Sequence, residues 1–248
     1  MKGLKIFLHS VRMVLGNWKE ALQIFLVPML CFGLCFFLLF GNSFPQLDLE
    51  QPENLELGAD FALRIFIFFL VSLLLFVWCV VNWHRFVLSE EYPSSWLPKL
   101  RSKEMVNYIY KSLILFCVVF LVAIPVIFIA VAFSATPFGL FILFAASLLL
   151  SVVVYRIASI LPAAAVGRNL TVSEAWNATK GGFFDILALV LVYGLVQWIA
   201  SFVISSVSSG SETVGFVINI MLSGMIGLVG VSILTSLYGH YVEGRDLD

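Results

Sequence analysis

The chain has 248 residues, of which 61% are apolar and 12% charged, with a formal net charge of −1 and a mean hydropathy of +1.05. Soluble domains run about 45–50% apolar and about 25% charged, and a chain of this length has too much surface to hide the excess in a globule. The composition excludes a soluble enzyme, a disordered tail and a disulfide-stapled secreted domain, and points to an all-α polytopic membrane bundle forming one domain over residues 1–248.

The first element is amphipathic. Leu4, Phe7, Leu8, Val11, Val14 and Leu15 share one helical face. Lys5, His9 and Arg12 form the other, as in a helix lying in the interface with its cations near lipid phosphates. Polar residues through Glu20 interrupt the apolar run, so it does not read as a cleavable signal. A membrane helix needs about 20 mostly apolar residues. Six stretches qualify: roughly 21–40, 64–83, 112–133, 139–160, 184–206 and 214–238. Runs such as Ile65–Phe69 are apolar on every face, unlike the alternating strands of a β-barrel.

Thirteen of the fourteen Lys and Arg precede span one, follow span six, or lie between spans two and three or four and five. The exception is Arg64. The opposite loops, 41–61, 134–138 and 207–213, hold no Lys or Arg, and the first is acidic (Asp48, Glu50, Glu53, Glu56 and Asp60). The positive-inside rule places both termini in the cytoplasm. The acidic loop lacks the spacing and turn glycine of a calcium loop and reads as solvated. The two glycosylation sequons at Asn169 and Asn177 fall on the cytoplasmic side and read as chance matches.

Two further lead-in helices precede spans three and five. Around 103–111, Met105, Tyr108 and Ile109 oppose Lys103, Asn107 and Lys111. In the third, Val172, Ala175, Trp176 and Thr179 share a face, Thr171 and Glu174 form a capping box, and Gly181-Gly182 ends the helix. The returning spans end in Trp83-His84-Arg85, Tyr155-Arg156 and Tyr238-Gly239-His240-Tyr241, read as anchors at the inner interface. The expected architecture is six transmembrane helices as three parallel hairpins with cytoplasmic interfacial lead-in helices, in repeat units of about 1–88, 93–162 and 170–243.

Little of this spells chemistry. Cys31, Cys35, Cys79 and Cys117 all lie in spans and read as small buried hydrophobes. His84 and His240 read as interface anchors, not haem ligands. Neither a cofactor nor a metal site is expected, and no nucleic-acid partner. The intramembrane polar candidates are Arg156, Asp185, Gln197 and Asn219, together with Arg64. Arg64 is expected to pair with Asp60 four residues away, Arg156 with Asp185, and Gln197 with Asn219 as a bond between spans five and six. In span six Gly215, Asn219, Ser223, Gly227, Val231, Thr235 and Gly239 recur every four residues, with Gly224 and Gly230 on the flank. This builds a groove for close helix approach, with a neighbouring span of the same chain as the default occupant and self-association as the alternative. The candidate partner contacts are Trp176, Glu174, Gly227 and Ser223. No Walker motif, nucleophile elbow or metalloprotease helix is present.

The stretch from Leu161-Pro162-Ala163 through Thr171-Val172-Ser173-Glu174-Ala175-Trp176 to Gly181 resembles bacterial six-span proteins related to the membrane domain of glycerophosphoryl diester phosphodiesterases and to uncharacterised inner-membrane families. In those a Leu-Pro-Ala-like segment ends a returning span, and a short Ser-x-x-Ala-Trp helix and a glycine precede the next. The resemblance implies a six-span fold in a bacterial inner membrane. The soluble phosphodiesterase barrel has no counterpart in these residues, so no catalysis is implied. Glu174-Ala175-Trp176 with Gly181 also resembles the coupling helix of ABC-importer permeases. It departs from that pattern in having Trp176 for the second Ala, the glycine one residue late and the Leu-Pro before the helix. The expectation is a non-enzymatic structural, assembly or accessory subunit whose partners are the lipid bilayer and a protein or second copy. The alternative is a transporter of a small or lipidic substrate, with Pro28 and Pro125 breaking spans one and three. A lipid enzyme using His84, His240 and Asp185 ranks third.

Overall fold

A computed structural model describes residues 2–41, 59–133, 136 and 138–247. Among these the chain is all-helical: α1 (Lys2–Gly16), α2 (Trp18–Phe40), α3 (Ala59–Ser89), α4 (Ser102–Phe133), α5 (Gly139–Ile157), α6 (Ile160–Ala165), α7 (Val172–Ala178), α8 (Phe183–Ser208) and α9 (Glu212–Tyr241). Six helices are long and apolar enough to cross a membrane, with α5 and α6 counting as one. They coincide with the six expected spans. The acids Asp48, Glu50, Glu53 and Glu56 lie outside the described residues.

Helices α3, α4 and α9 have 31, 32 and 30 residues. At ~1.5 Å per residue each is about 45 Å long, more than the ~30 Å hydrocarbon layer requires. The end of the bundle that carries both termini we call the base. Ser10 of α1 and Ser236 of α9 touch there (2.9 Å), and Arg245 of the C-terminal tail donates to the Leu88 carbonyl (2.7 Å). The thirteen segregated Lys and Arg belong to elements that meet at the base. Arg64 stands at the opposite end, the tip, bonded to Asp60 (2.8 Å) as expected and to the Leu39 carbonyl (3.1 Å).

The core is concentrated at the base. Trp83, Tyr238, Ile6, Ile24, Ile160, Ile186 and Leu237 are essentially inaccessible. Toward the tip the helices expose apolar side chains broadly, and the most apolar stretch of α4 contains no buried residue among those described. Phenylalanines zip α2 to α3 there, with Phe68 packed on Phe32 (5.0 Å between ring centres), Phe36 and Phe40.

The lead-in helices differ from expectation. Helix α1 packs between α8 and α9, burying Gly3, Ile6, Phe7, Ser10 and Val14, while Leu4, Leu8 and Leu15 are exposed. At 100° per residue the buried set centres roughly 120° from the Leu4–Leu8–Leu15 sector. The expected face is thus the flank of the real one, and small residues (Gly3, Ser10) mark the true contact. The second lead-in is continuous with its span as α4. Met105 and Tyr108 of its expected apolar face are buried, and so is Lys111 of its expected polar face. The third is a separate helix, α7, with the Thr171–Glu174 capping box formed and Gly181 at φ +84° where only glycine is unstrained. The fourth span does not run straight to residue 160. Pro162 has no N–H and its ring would strike the Ala158 carbonyl, so the helix breaks at Ala158–Ser159 and restarts as α6. Helix α6 is entirely buried.

A β-carbon on Gly3 would lie 2.0 Å from the Asp185 carbonyl oxygen, whereas one on Gly16 would touch nothing. Gly3→Val is expected to dislodge α1, lowering the thermal unfolding temperature in detergent and opening the N-terminus to protease, whereas Gly16→Ala leaves both unchanged.

Candidate association surface

Helix α9 carries a stripe of small and polar residues spaced by four. At 3.6 residues per turn each such step advances about 40° around the axis. Asn219 and Thr235 are four steps apart and so face nearly opposite ways. The base half of the stripe is buried, and so is Gly215 at the tip end, against Ser208 of α8; Asn219, Ser223 and Gly227 between them are bare.

The buried half is a hydroxyl seam. Trp83 Nε1 of α3 donates to Ser232 Oγ (2.9 Å), whose own proton goes to the Leu228 carbonyl (2.9 Å). Thr235 Oγ1 approaches the Val231 carbonyl (3.1 Å) and is hydrogen-bonded to His84 Nδ1 (2.8 Å). Ser236 meets Ser10 of α1. Each of these two hydroxyls also approaches a carbonyl of its own helix, Ile6 and Ser232. With two protons for three contacts, one backbone bond yields to the inter-helix bond. Trp83, His84 and Tyr238 are therefore core residues. The reading of the span ends as interface anchors is corrected: these side chains turn inward, Trp83 and His84 to partners on α9 and Tyr238 to Arg168 of the loop before α7 (3.4 Å). His240, by contrast, is partly exposed and bonds the Arg245 carbonyl (3.0 Å).

A second polar cluster braces α3 to the loop before α4. Glu91 is held by both Arg85 and Arg101, and Arg85 also reaches Glu104 (3.7 Å) and the Ala165 carbonyl (3.2 Å). Partial burial alone would push the Glu91 carboxyl up. The Arg85 hydrogen bond and the charges of Arg85, Arg101 and Lys99 outweigh it and hold the group below the usual carboxylate range. Lys111 is 7% exposed and donates to Asn169 Oδ1 (2.8 Å) and the Leu170 carbonyl (2.9 Å), pinning the loop ahead of α7. Neither cluster was anticipated, because each joins residues 6 to 80 positions apart with no periodic signature.

The expected intramembrane pairs are replaced by others. Arg156 bonds Thr179 Oγ1 (3.1 Å) and the Trp176 carbonyl (3.0 Å), and its guanidinium lies 3.5 Å from the Trp176 ring centre. Asp185 accepts instead from the backbone N–H of Lys2 (3.0 Å), its carboxylate stabilising the positive end of α1. Arg156 and Asp185 do not pair because α5 directs the first toward α7 and α8 directs the second toward α1. Gln197 and Asn219 are both exposed, and no hydrogen bond joins them among the described residues. Of the cysteines only Cys79 is buried; Cys31 and Cys117 are exposed. The reading of all four as buried is corrected: Cys35 is half-buried, and no described residue covers Cys31 of α2 or Cys117 of α4.

Of the candidate contacts, Glu174 is committed to the capping box. The Thr171 backbone N–H and then its hydroxyl hold the carboxyl below the usual range. Trp176 is 40% exposed, with Arg156 on its ring. Gly227 and Ser223 lie on the bare part of the stripe. A β-carbon on Gly224 or Gly227 would meet nothing within 4 Å. Ser223 donates to Asn219 Oδ1 (2.8 Å), and the Asn219 amide N–H groups find no acceptor among the described residues. Intrachain neighbours thus cover the base half of the groove and Gly215 at its tip end, and leave Asn219, Ser223 and Gly227 open.

A cavity of about 200 Å³ separates α1, α3, α9 and the C-terminal tail, lined by His9, Thr235, His240, Arg245 and Asp246 among others. Among the described residues no three or more His, Cys, Asp or Glu are grouped to hold a metal ion. No protein-family model, curated protein or solved structure matches the chain. Fold and surface together define a multi-pass helical membrane protein.

Thr235→Val leaves the buried His84 Nδ1 without a hydrogen-bond partner and is expected to cost about 1–3 kcal/mol in unfolding measurements, with Thr235→Ser largely restoring it. The Glu91 contribution has a defined sign. Its carboxyl is lowered in the folded state, so stabilisation is present above the ordinary carboxylate value (about 4.3) and lost as pH falls through the lowered folded value. The stability gap between wild type and Glu91→Gln is therefore expected to shrink on acidification, in thermal unfolding scans run from neutral to acid pH.

Proposed function

We propose that this chain is a non-enzymatic accessory or assembly subunit of a bacterial inner membrane, with cytoplasmic termini, that associates with a membrane protein or a second copy of itself through the bare part of the α9 stripe. In this reading the base is the cytoplasmic end, and the units 1–88, 93–162 and 170–243 are three parallel hairpins, each preceded by a lead-in helix. The resemblance around Leu161–Gly181 and the segregation of cations to the base support that orientation.

The observation that carries the association reading is the exposed Asn219–Ser223–Gly227 surface. An amide with unused N–H groups is costly against hydrocarbon, where no water accepts them. Small residues beside it let another helix approach closely enough to supply the acceptor. The chain itself leaves that approach open. Exposed Trp176 at the base is a second contact in the same reading.

Gly227→Leu fills the approach without touching this chain's own packing. It is expected to weaken association by about 1–2 kcal/mol while the unfolding temperature stays put. Cross-linking and native mass spectrometry in lipid nanodiscs read the first quantity, and detergent unfolding the second. Unchanged association in both Gly227→Leu and Asn219→Leu contradicts the reading.

A further inference from the structure

The loop between α3 and α4 closes one side of the base. Trp78 Nε1 and Asn82 Nδ2 both donate to the Lys99 carbonyl at 3.1 Å, folding residues 90–101 back on α3. Between this loop and Ile24 of α2 lies a pocket of about 30 Å³ whose polar wall is Asn82, Arg85, Glu91, Ser94, Lys99 and Arg101. That is more than one water needs. Three cations and one carboxylate line it, and the carboxylate is already shared by the two arginines. Arg85 Nε is buried with no acceptor, although Arg85 Nη1 reaches Glu104 (3.7 Å), and the Lys99 ammonium acts on Glu91 through its charge without forming an ion pair with it. Donor capacity and positive charge are therefore left over inside a concave site. Around the same loop Tyr92, Trp96, Leu97 and Leu100 are exposed, and aromatic and alkyl side chains of this kind settle at the headgroup level of a bilayer.

We propose that this pocket seats the phosphate of an anionic phospholipid. The phosphate oxygens accept from Arg85 Nε–H and from Lys99 Nζ, the exposed loop residues rest among neighbouring headgroups, and the acyl chains continue into the lipid beside α2. The assignment rests on the membrane-spanning fold and is independent of the association reading for α9.

The test is native mass spectrometry of the full chain titrated with phosphatidylglycerol or with phosphatidylcholine of the same acyl chains. Wild type is expected to retain phosphatidylglycerol preferentially. Lys99→Gln should weaken that retention about fivefold, the effect of one basic charge at the membrane surface. The bonds from Trp78 and Asn82 use the Lys99 backbone, so the loop survives the substitution, and unfolding temperature verifies it. Lys99→Arg should retain the lipid, and Lys180→Gln, the same charge loss elsewhere at the base, should leave retention unchanged. Equal retention of the two lipids, or equal effects of Lys99→Gln and Lys180→Gln, would overturn the proposal. Complete displacement by inorganic phosphate would make free phosphate the ligand and overturn the lipid assignment.

Discussion

Ser232, Thr235 and Ser236 sit on three successive positions of one α9 face, buried among apolar side chains, where an unpaired hydroxyl or its unpaired partner costs about 1–3 kcal/mol. Their positions dictate what must stand opposite. Trp83 of α3 brings the N–H that Ser232 accepts, His84 of α3 brings the ring nitrogen that meets Thr235, and Ser10 of α1 brings the hydroxyl that meets Ser236. Two helices from the first third of the chain are thereby fixed against its last helix. The remaining base elements follow from that arrangement. Helix α1 is tied to α8 through Gly3 and Asp185, α6 fills the space beside Leu88 and Tyr238 with alanines, and Arg85 turns out to the Glu91 loop. Association of membrane helices gains nothing from hydrophobicity once they are in lipid. Directional bonds and close packing of small residues carry it, and both are concentrated at the base.

The same helix explains why the tip is different. A four-residue repeat drifts around an α-helix, so one stripe cannot stay in a single interface over the length of α9. Its base half enters the core. Its Asn219–Ser223–Gly227 part comes out on the far side, where α8 does not reach it. The tip halves of α2, α4, α5 and α8 are likewise bare of protein neighbours on much of their surface. A membrane protein with a tightly bonded base and a loosely covered tip suits a role in which the tip meets other membrane components, which is the role proposed above.

Local chemistry was legible in the sequence wherever it depends on near neighbours. The six spans follow from length and hydropathy, the Thr171–Glu174 cap and Gly181 from turn chemistry, and the Arg64–Asp60 pair from a one-turn spacing. What escaped depends on rotation and on distance along the chain. Apolar periodicity found α1 but chose the flank exposed beside Leu4 and Leu8, because lipid-facing and protein-facing residues are equally greasy and only Gly3 and Ser10 distinguish the packed side. Trp83 and His84 look like interface anchors at a span end until α9 is seen to offer them Ser232 and Thr235. Pro162 was visible in the sequence, yet the buried helix it starts was not, since nothing local says that Ile160–Ala165 ends up beneath α3, α4 and α9. Of the candidate site, Ser223 and Gly227 were recognised from their spacing, while their exposure emerges only from the angular drift of the stripe.

The central claim is that inter-helix bonds from the α9 hydroxyls hold the base together. A double-mutant cycle on Trp83→Phe and Ser232→Ala, read by reversible unfolding in detergent micelles, isolates the bond between α3 and α9 from the packing each side chain also provides. The account predicts a coupling energy of about 0.5–2 kcal/mol, within the range for bonds between membrane helices. Strict additivity of the two substitutions would contradict it.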